Sequence, residues 1–308
     1  MGMGPDVYSE DENIAEKVDF IHRRTSDADI YFLRNKTEQR IETDLIFRIE
    51  DRFPELWHPD RGETERLVIY ERNARGTRIP LRFEPLESYF IIFSEKDSQT
   101  DQLQAADVLV EQNGPYEFIT AGGRKVKGTV ENLPESFTLT GSWEVRFEHG
   151  WGAPSRTTFP ELISWTDTEN EGIRHYSGIA SYHKTFTLPE EWMAEDYIIQ
   201  LDLGRVEEIA EVFLNGKPIG ITWYTPHRVD ITRAIREGEN RLVIEVANVL
   251  NNQLVMDAQR PAEYRRLKSN ITRLPNAWMH PMAEAELRES GLIGPVQVRC
   301  LRKVLILP

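Results

Sequence analysis

The side chains best suited to binding a ligand lie in one loop that combines aromatic and polar residues. Trp223 and Tyr224 are followed closely by His227 and Arg228. An aromatic ring can pack against the apolar C–H face of a pyranose, while imidazole and guanidinium groups hydrogen-bond its hydroxyls. The combination predicts a carbohydrate-binding loop. Packing of both rings over the mouth of the fold is the alternative, because aromatic side chains bury large areas.

A second set of candidates combines Trp165 with Arg174, which His175 and Tyr176 follow directly. Asn251 begins a run of three amide residues after a predicted strand. We expect Trp165, Arg174 and Asn251 to contact sugar hydroxyls or ring faces. The alternatives are core packing for the aromatic cluster and the capping of backbone groups for Asn251.

Catalysis by this chain would require a pair of carboxyl groups, because glycoside hydrolysis uses two of them roughly 5 to 10 Å apart. The contiguous acids Glu190-Glu191 and Glu207-Glu208 would point to opposite faces of a strand. Glu55, close to Trp57, is the most interesting single acid of the first half, with a role in a hairpin as its alternative. No catalytic residue is therefore predicted.

Composition excludes several classes of function. The 308 residues contain 37 Lys and Arg against 51 Asp and Glu, for a formal net charge of −14. This charge disfavours nucleic acid and anionic membranes as partners. The apolar runs are much shorter than the about 20 residues of a membrane span, and the N-terminus has no signal-peptide pattern.

Cysteine and histidine usage gives no metal or disulfide framework. Cys300 is the single cysteine, so no internal disulfide forms. The seven histidines are scattered without the spacing of zinc ligands, so zinc is not expected and the metal content stays undetermined.

The elements that must position these residues are strands. Leu45, Phe47 and Ile49 alternate with other residues, as do Leu242, Ile244 and Val246, and this period of two predicts half-buried antiparallel sheet. Turn signals recur at the spacing of an all-β sandwich. We predict an all-β protein with two β-sandwich domains, the second a jelly roll. The expected organisation is a linker or short helix at 1–20, a β-sandwich domain at 21–135 and a jelly-roll domain at 136–308.

One hairpin is marked by its turn residues. Asn215-Gly216 lies between two apolar strands. A two-residue type I′ turn needs positive φ at both central positions, which Asn and Gly tolerate best. We therefore predict a tight hairpin at this point of the second domain.

The residues around that hairpin resemble a known domain. VFLNGKPIG at 212–220, then DIT at 230–232 and GENRLVIEVAN at 238–248, resemble the galactose-binding-like, sugar-binding jelly roll of glycoside hydrolase family 2. Further stretches, in order, resemble the C-terminal portion of the α-L-rhamnosidase-like family 106: FIHRR at 20–24, DIYFLRN at 29–35, PELWHPDRG at 54–62, IPLRFEPLESYFIIF at 79–93, GSWEVRF at 141–147, LISWTD at 162–167, LDLGRV at 201–206 and SGLIGPVQV at 290–298.

The resemblance implies accessory domains without the catalytic machinery. In family 106 the hydrolytic residues lie on a (β/α)₈ barrel, which needs about 250 residues of its own. Only about 20 residues precede the first sandwich strands here. The expected function is therefore the non-catalytic C-terminal portion of a glycoside hydrolase, which scaffolds the missing barrel in cis and binds polysaccharide or oligosaccharide.

Two further expectations follow from the resemblance, and one alternative stays open. Galactose-binding-like jelly rolls often hold a structural Ca²⁺, although no acidic loop here has calcium-loop spacing, and no other cofactor is expected. A parent protein of this family would be bacterial and periplasmic or secreted. The alternative function is a free-standing carbohydrate-binding protein that uses the loops of the jelly roll.

Overall fold

A computed structural model of the chain describes residues 5–60, 62–67, 69–94, 106–119, 125–267 and 281–306. Contacts divide the chain into two units, residues 1–133 with 302–308, and residues 134–301. Strands dominate both units, in agreement with the predicted all-β class. No helix of the described part is long and apolar enough to cross a membrane.

The first unit is built from two antiparallel sheets and a hairpin. Its strands are β1 Val7–Tyr8, β2 Val18–Arg24, β3 Ala28–Asn35, β4 Ile41–Phe47, β5 Phe53–His58, β6 Glu63–Arg66, β7 Glu71–Asn73, β8 Gly76–Phe83, β9 Ser88–Ser94, β10 Ala106–Val110, β11 Gly114–Ile119 and β12 Lys125–Val130. One sheet has the order β1-β4-β8-β7, and the other has the order β2-β3-β9-β5-β6. The strands β11 and β12 form the hairpin.

Side chains from both sheets interlock in the core of this unit. The ring of Tyr31, from the five-stranded sheet, lies edge-on to Phe47 of the four-stranded sheet, with the ring centroids 5.0 Å apart. The ring of Phe93, also from the five-stranded sheet, is tilted against Phe47, with the centroids 5.3 Å apart. All three are completely buried. Burial of each such side chain stabilises the unit by about 1.5–3 kcal/mol. The strand β9 lies at the centre of its sheet.

The segment predicted as a linker or short helix differs in the structure. Val7 pairs with Phe47 across β1 and β4, and a 3₁₀ turn at Glu12–Ile14 leads into β2. Val7, Ile14 and Val18 are buried in the core of the first unit. Residues 5–20 therefore belong to the sandwich, because their three apolar side chains have a core to enter.

The second unit contains a six-stranded sheet that packs against shorter strands. Its strands are β13 Phe137–Thr138, β14 Trp143–Phe147, β15 Arg156–Phe159, β16 Ile179–Leu188, β17 Tyr197–Asp202, β18 Arg205–Glu207, β19 Ile209–Leu214, β20 Lys217–Thr222, β21 Arg228–Asp230, β22 Gly238–Ala247, β23 Gly291–Gly294 and β24 Gln297–Ile306. The large sheet has the order β15-β14-β16-β22-β19-β20. The helices are α1 Glu171–Arg174 and α2 Asn251–Ala258.

A cross-strand row fixes the inner face of this sheet. Val145, Tyr182, Ile244 and Val212 are register partners on β14, β16, β22 and β19, and all four are fully buried. The alternation seen in the sequence thus sets which residues enter the core. Asn215 and Gly216 have φ of 54° and 79°, which matches the hairpin predicted from their residue types.

The C-terminal strand departs from the expected domain boundaries. Residues 302–306 of β24 pair with β10, so that Val110 faces Arg302 and Ala106 faces Ile306. The sequence predicts one domain over 136–308, whereas residues 302–306 group with the first unit. Strand pairing between positions so distant in sequence leaves no local signal in the residues themselves.

Candidate functional site

The candidate site is one end of the six-stranded sheet in the second unit. Phe147, Ala180, Val246, Ala210 and Thr222 form one row across β14, β16, β22, β19 and β20. The segments that adjoin this row emerge at the same end of the sheet, which we call the loop end. They are residues 148–155, 171–178, 223–227 and 248–258.

Trp223 and Tyr224 stand at this end, directly after β20. Trp223 is 59% exposed, and its ring lies 5.4 Å from that of Tyr224 at an interplanar angle of 70°. An exposed indole beside a second ring can pack on an apolar ligand face. The sequence-predicted aromatic pair is therefore accessible.

His227 lies inside the loop rather than on its surface. It is 4% exposed, and its Nδ1 is 3.2 Å from Oγ1 of Thr222. Burial lowers the pKa of the His227 imidazole, against an opposing effect of the Asp202 charge. The buried imidazole of His227 therefore contacts Thr222, at the end of β20, and does not lie on the surface that Trp223 exposes.

Arg228 begins β21, which belongs to a different sheet from the six-stranded one. Its Nε donates to Oδ2 of Asp202 at 2.6 Å, and the two residues are register partners on β21 and β17. Nη1 of Arg299 lies 3.8 Å from the same oxygen. Arg228 is thus part of a half-buried ion-pair cluster that joins neighbouring strands.

Trp165 is a core residue, which corrects its assignment to a sugar-contacting cluster. It is fully buried, and its Nε1 donates to the hydroxyl of Tyr182 at 2.6 Å. Its ring lies edge-on to Phe147 and Tyr176, at 5.6 and 5.3 Å. A ring with no exposed face cannot stack on a ligand, so core packing, the alternative considered for this cluster, describes Trp165.

Arg174 and Asn251 both lie at the loop end. Arg174 is the exposed last residue of α1, and Asn251 is the half-buried first residue of α2. The segments that carry them adjoin β16 and β22, which are neighbours in the sheet. Trp223 follows β20, two strands beyond β22, a separation of about 10 Å at the usual strand spacing.

Amide side chains of Asn248 and Asn252 connect segments of the loop end. Asn248 donates to the backbone oxygen of Tyr176 at 2.9 Å and accepts from the backbone N–H of Gly178 at 3.0 Å. Asn252 makes a similar pair with the backbone of Arg288, at 2.7 and 2.8 Å. Asn248 and Asn252 therefore satisfy backbone groups of neighbouring segments, whereas Nδ2 of Asn251 donates to the side-chain Oδ1 of Asn252 at 3.3 Å.

The sequence analysis missed an apolar surface at the same end. Exposed large apolar side chains cluster on the strand ends and in the segment after β22: Ile179, Ile209, Ile221, Val249 and Leu250. Ile179 and Ile209 are both register partners of Ala247, so they flank it on adjacent strands. In the sequence, this surface is indicated by strands that carry apolar residues at both odd and even positions, because such strands present apolar side chains on both faces of the sheet.

Metal ligands do not cluster in the described residues. Within them, no group of three or more His, Cys, Asp or Glu side chains is placed to hold a metal ion. A calcium site that uses backbone oxygens stays an expectation.

The architecture defines an all-β protein of two sandwich units whose second unit is a galactose-binding-like jelly roll. Family comparisons agree with this class. Residues 1–72 match the α-L-rhamnosidase model of glycoside hydrolase family 106. Residues 167–282 match the galactose-binding-like domain of glycosyl hydrolase family 2. Both resemblances predicted from the sequence are confirmed.

Individual relatives extend the likeness beyond these segments. The structure of a rhamnosidase from Novosphingobium sp. PP1Y matches 97% of this chain and 25% of its own, with a TM-score of 0.72 and 31% identity. A putative β-glucuronidase of Formosa agariphila is 37% identical over 204 residues, 61% of this chain and 18% of that protein. A β-galactosidase of Priestia megaterium is 28% identical over 120 residues, 36% of this chain and 11% of that protein. The chain thus spans a quarter or less of each of these proteins, and it is homologous to glycoside hydrolase domains.

Proposed function

We propose that this chain is the non-catalytic C-terminal portion of an α-L-rhamnosidase-like glycoside hydrolase. In this role it scaffolds a catalytic barrel in cis and contacts carbohydrate at the loop end. The observation that carries the proposal is the likeness to the Novosphingobium rhamnosidase, which includes 97% of this chain but only a quarter of the relative.

The buried carboxylates support a non-catalytic role. Among the described residues, Asp29 and Asp257 are the buried acids, and they belong to different units. Asp29 accepts from Arg24 and Arg52. Asp257 accepts from the backbone N–H groups of Arg266 and Leu267, at 3.1 and 2.7 Å. Both acids are committed to structural donors, whereas a general acid needs a proton to give to its substrate.

The test is the hydrolysis of an aryl α-L-rhamnoside by the purified 308-residue chain. We expect no turnover above the buffer rate, with the Novosphingobium rhamnosidase as the positive control. The proposal is overturned if the chain releases the aryl group at an enzyme-like rate. This activity must stay with the protein through repeated chromatography, which excludes a contaminating enzyme.

The second candidate is a free-standing carbohydrate-binding protein that uses the jelly-roll loops. The exposed Trp223 next to Tyr224 favours it. Titration calorimetry with rhamnose- and galactose-containing oligosaccharides, for the wild type and for Trp223→Ala, measures it. Heat that disappears in Trp223→Ala would support this function, and no heat at millimolar sugar would exclude it.

A further inference from the structure

The five-stranded sheet of the first unit carries a continuous apolar row on its outer face. Ile21, Phe32, Phe90 and Trp57 are successive register partners on β2, β3, β9 and β5. On the central strands β3 and β9 the neighbours of these residues point into the core, since Tyr31, Leu33, Tyr89 and Ile91 have almost no exposed surface. The row itself is open, because Ile21 and Trp57 at its two ends are 57% and 42% exposed.

Three consecutive members of this row are aromatic. The centroids of Phe32 and Phe90 are 5.2 Å apart, with the rings tilted by 58°. Trp57 follows on the next strand, about 4.8 Å further at the usual strand spacing. The aromatic strip therefore extends over about 10 Å, about the length of two consecutive pyranose rings in a glycan.

Polar groups flank the strip at Trp57. Oε2 of Glu55, on the same face of β5, accepts from Nε1 of Trp57 at 3.0 Å, which fixes the orientation of the indole. Arg66 and Thr64 on β6 are the register partners of Glu55 and Trp57. A carboxylate, a guanidinium group and a hydroxyl thus adjoin the exposed indole, and all three groups hydrogen-bond sugar hydroxyls well.

We propose that this outer face, along the strip from Phe32 to Trp57, is a binding site for a neutral polysaccharide segment of at least two sugar rings. The site lies in the other unit from the loop end, so the proposal does not depend on the function proposed above. In this site the aromatic rings of the protein pack on the apolar C–H faces of the sugars, and the polar side chains beside them hydrogen-bond the sugar hydroxyls. The chain's formal charge of −14 disfavours an acidic glycan.

A sugar fits this face better than a protein partner does. The buried centre of a protein interface is depleted in Glu and Asp, although Arg and aromatic residues are enriched there, so the carboxylate of Glu55 is the group that disfavours a protein partner. Here Glu55 and Arg66 lie immediately beside the exposed indole, where a protein partner would have to desolvate both. A glycan leaves such groups hydrogen-bonded to hydroxyls and water.

Affinity electrophoresis of the intact chain tests the proposal. The native gels contain a soluble rhamnan, a β-galactan or xyloglucan. We expect retardation by at least one of these glycans, an apparent affinity at least tenfold weaker for Trp57→Ala, and partial retention of binding by Trp57→Phe. The matched control is Tyr264→Ala, which removes an exposed aromatic ring that lies outside both the strip and the loop end, and it should migrate like the wild type.

Thermal melting establishes that each variant is folded, and Phe90→Ala gives an independent probe of the strip. The proposal is overturned if none of the three glycans retards the wild type, or if Trp57→Ala and Phe90→Ala bind as the wild type does. It is also overturned if Trp223→Ala alone abolishes retardation. Sedimentation measures the oligomeric state of the wild type and of Trp57→Ala. If the wild type is an oligomer that Trp57→Ala dissociates, and no glycan binds, the face is assigned to a protein contact instead.

Discussion

The indole N–H of Trp165 donates to the hydroxyl of Tyr182 at 2.6 Å, and both side chains are completely buried. The same hydroxyl accepts from the backbone N–H of Leu292 at 3.0 Å, so it connects β16 to β23. Burial raises the pKa of Tyr182, although both donors oppose this effect. The hydroxyl therefore stays protonated at any ordinary pH and serves as a structural hydrogen-bond centre of the jelly roll.

Trp165→Phe should lower the free energy of unfolding by about 1–3 kcal/mol, because a buried donor is lost and the smaller ring leaves unfilled volume. Urea denaturation followed by circular dichroism measures the change. The matched variant Tyr182→Phe removes the other partner, and the double variant should lose less than the sum of the two. Weaker glycan binding by Trp165→Phe at unchanged stability would contradict the assignment of Trp165 to the core.

Gly291→Ala should destabilise the second unit by more than about 2 kcal/mol. Gly291 has a φ of +95°, and a Cβ at this position would overlap Nε1 of Trp165 and the hydroxyl of Tyr182. Gly216→Ala is the control, since Gly216 has a φ of +79° but no atom within 4 Å of its Cβ position. The control should lose about 1 kcal/mol from backbone strain alone. Equal losses in the two variants would show that the crowding around Gly291 is unimportant.

Asp29→Asn should lower stability at neutral pH by about 3 kcal/mol, because a buried carboxylate holds three cationic or polar donors together. Burial alone would raise the pKa of Asp29, but hydrogen bonds from Arg24 and His22 and the charges of Arg24 and Arg52 together lower this pKa. Because the folded state binds the proton less readily than the unfolded state, the contribution of Asp29 is present above about pH 4 and is lost as pH falls below that value.

The difference in unfolding free energy between wild type and Asp29→Asn, measured from pH 7 to pH 3, checks this behaviour. The difference should be constant above about pH 5 and shrink below about pH 4. Asp27→Asn is a nearby control in the same turn, and Asp27 is exposed to solvent, so its effect at neutral pH should be small. A difference that grows with acidity would reverse the assigned sign.

His227→Asn should reduce the pH dependence of the second unit's stability. Burial lowers the pKa of His227, so the unfolded state binds a proton that the folded state excludes. Stability is therefore full above about pH 6.5 and decreases as pH falls from there toward the lowered pKa. The pKa of His183 is also lowered, chiefly by burial, and contributes with the same sign. Urea denaturation between pH 5 and pH 8 should show a shallower dependence in His227→Asn, and a slope equal to that of the wild type would contradict the prediction.

Local sequence patterns predicted much of the fold. The alternation of Leu242, Ile244 and Val246 follows from the two-residue repeat of a strand, since one parity must face the core. The turn at Asn215-Gly216 follows from the residues that accept positive φ. Both depend on neighbouring residues alone, and both match the structure.

The candidate site was less predictable, because exposure depends on residues distant in sequence. Trp165 and Trp223 have the same side chain in similar mixed surroundings, yet one is fully buried and the other is 59% exposed. Trp57 was noted in the sequence only as a neighbour of Glu55. Its alignment with Phe90 and Phe32 arises from the pairing of β5, β9 and β3.

The all-β class, the tight hairpin and the likeness to glycoside hydrolase domains follow from residue periodicity, turn chemistry and ordered motifs, which are local properties of the chain. The accessibility of the aromatic rings, the inclusion of residues 5–20 and 302–306 in the first unit, and the alignment of three rings from separate strands follow from the folded arrangement alone. These features depend on strand register, which is set by contacts between residues far apart in the chain, and no local pattern encodes it.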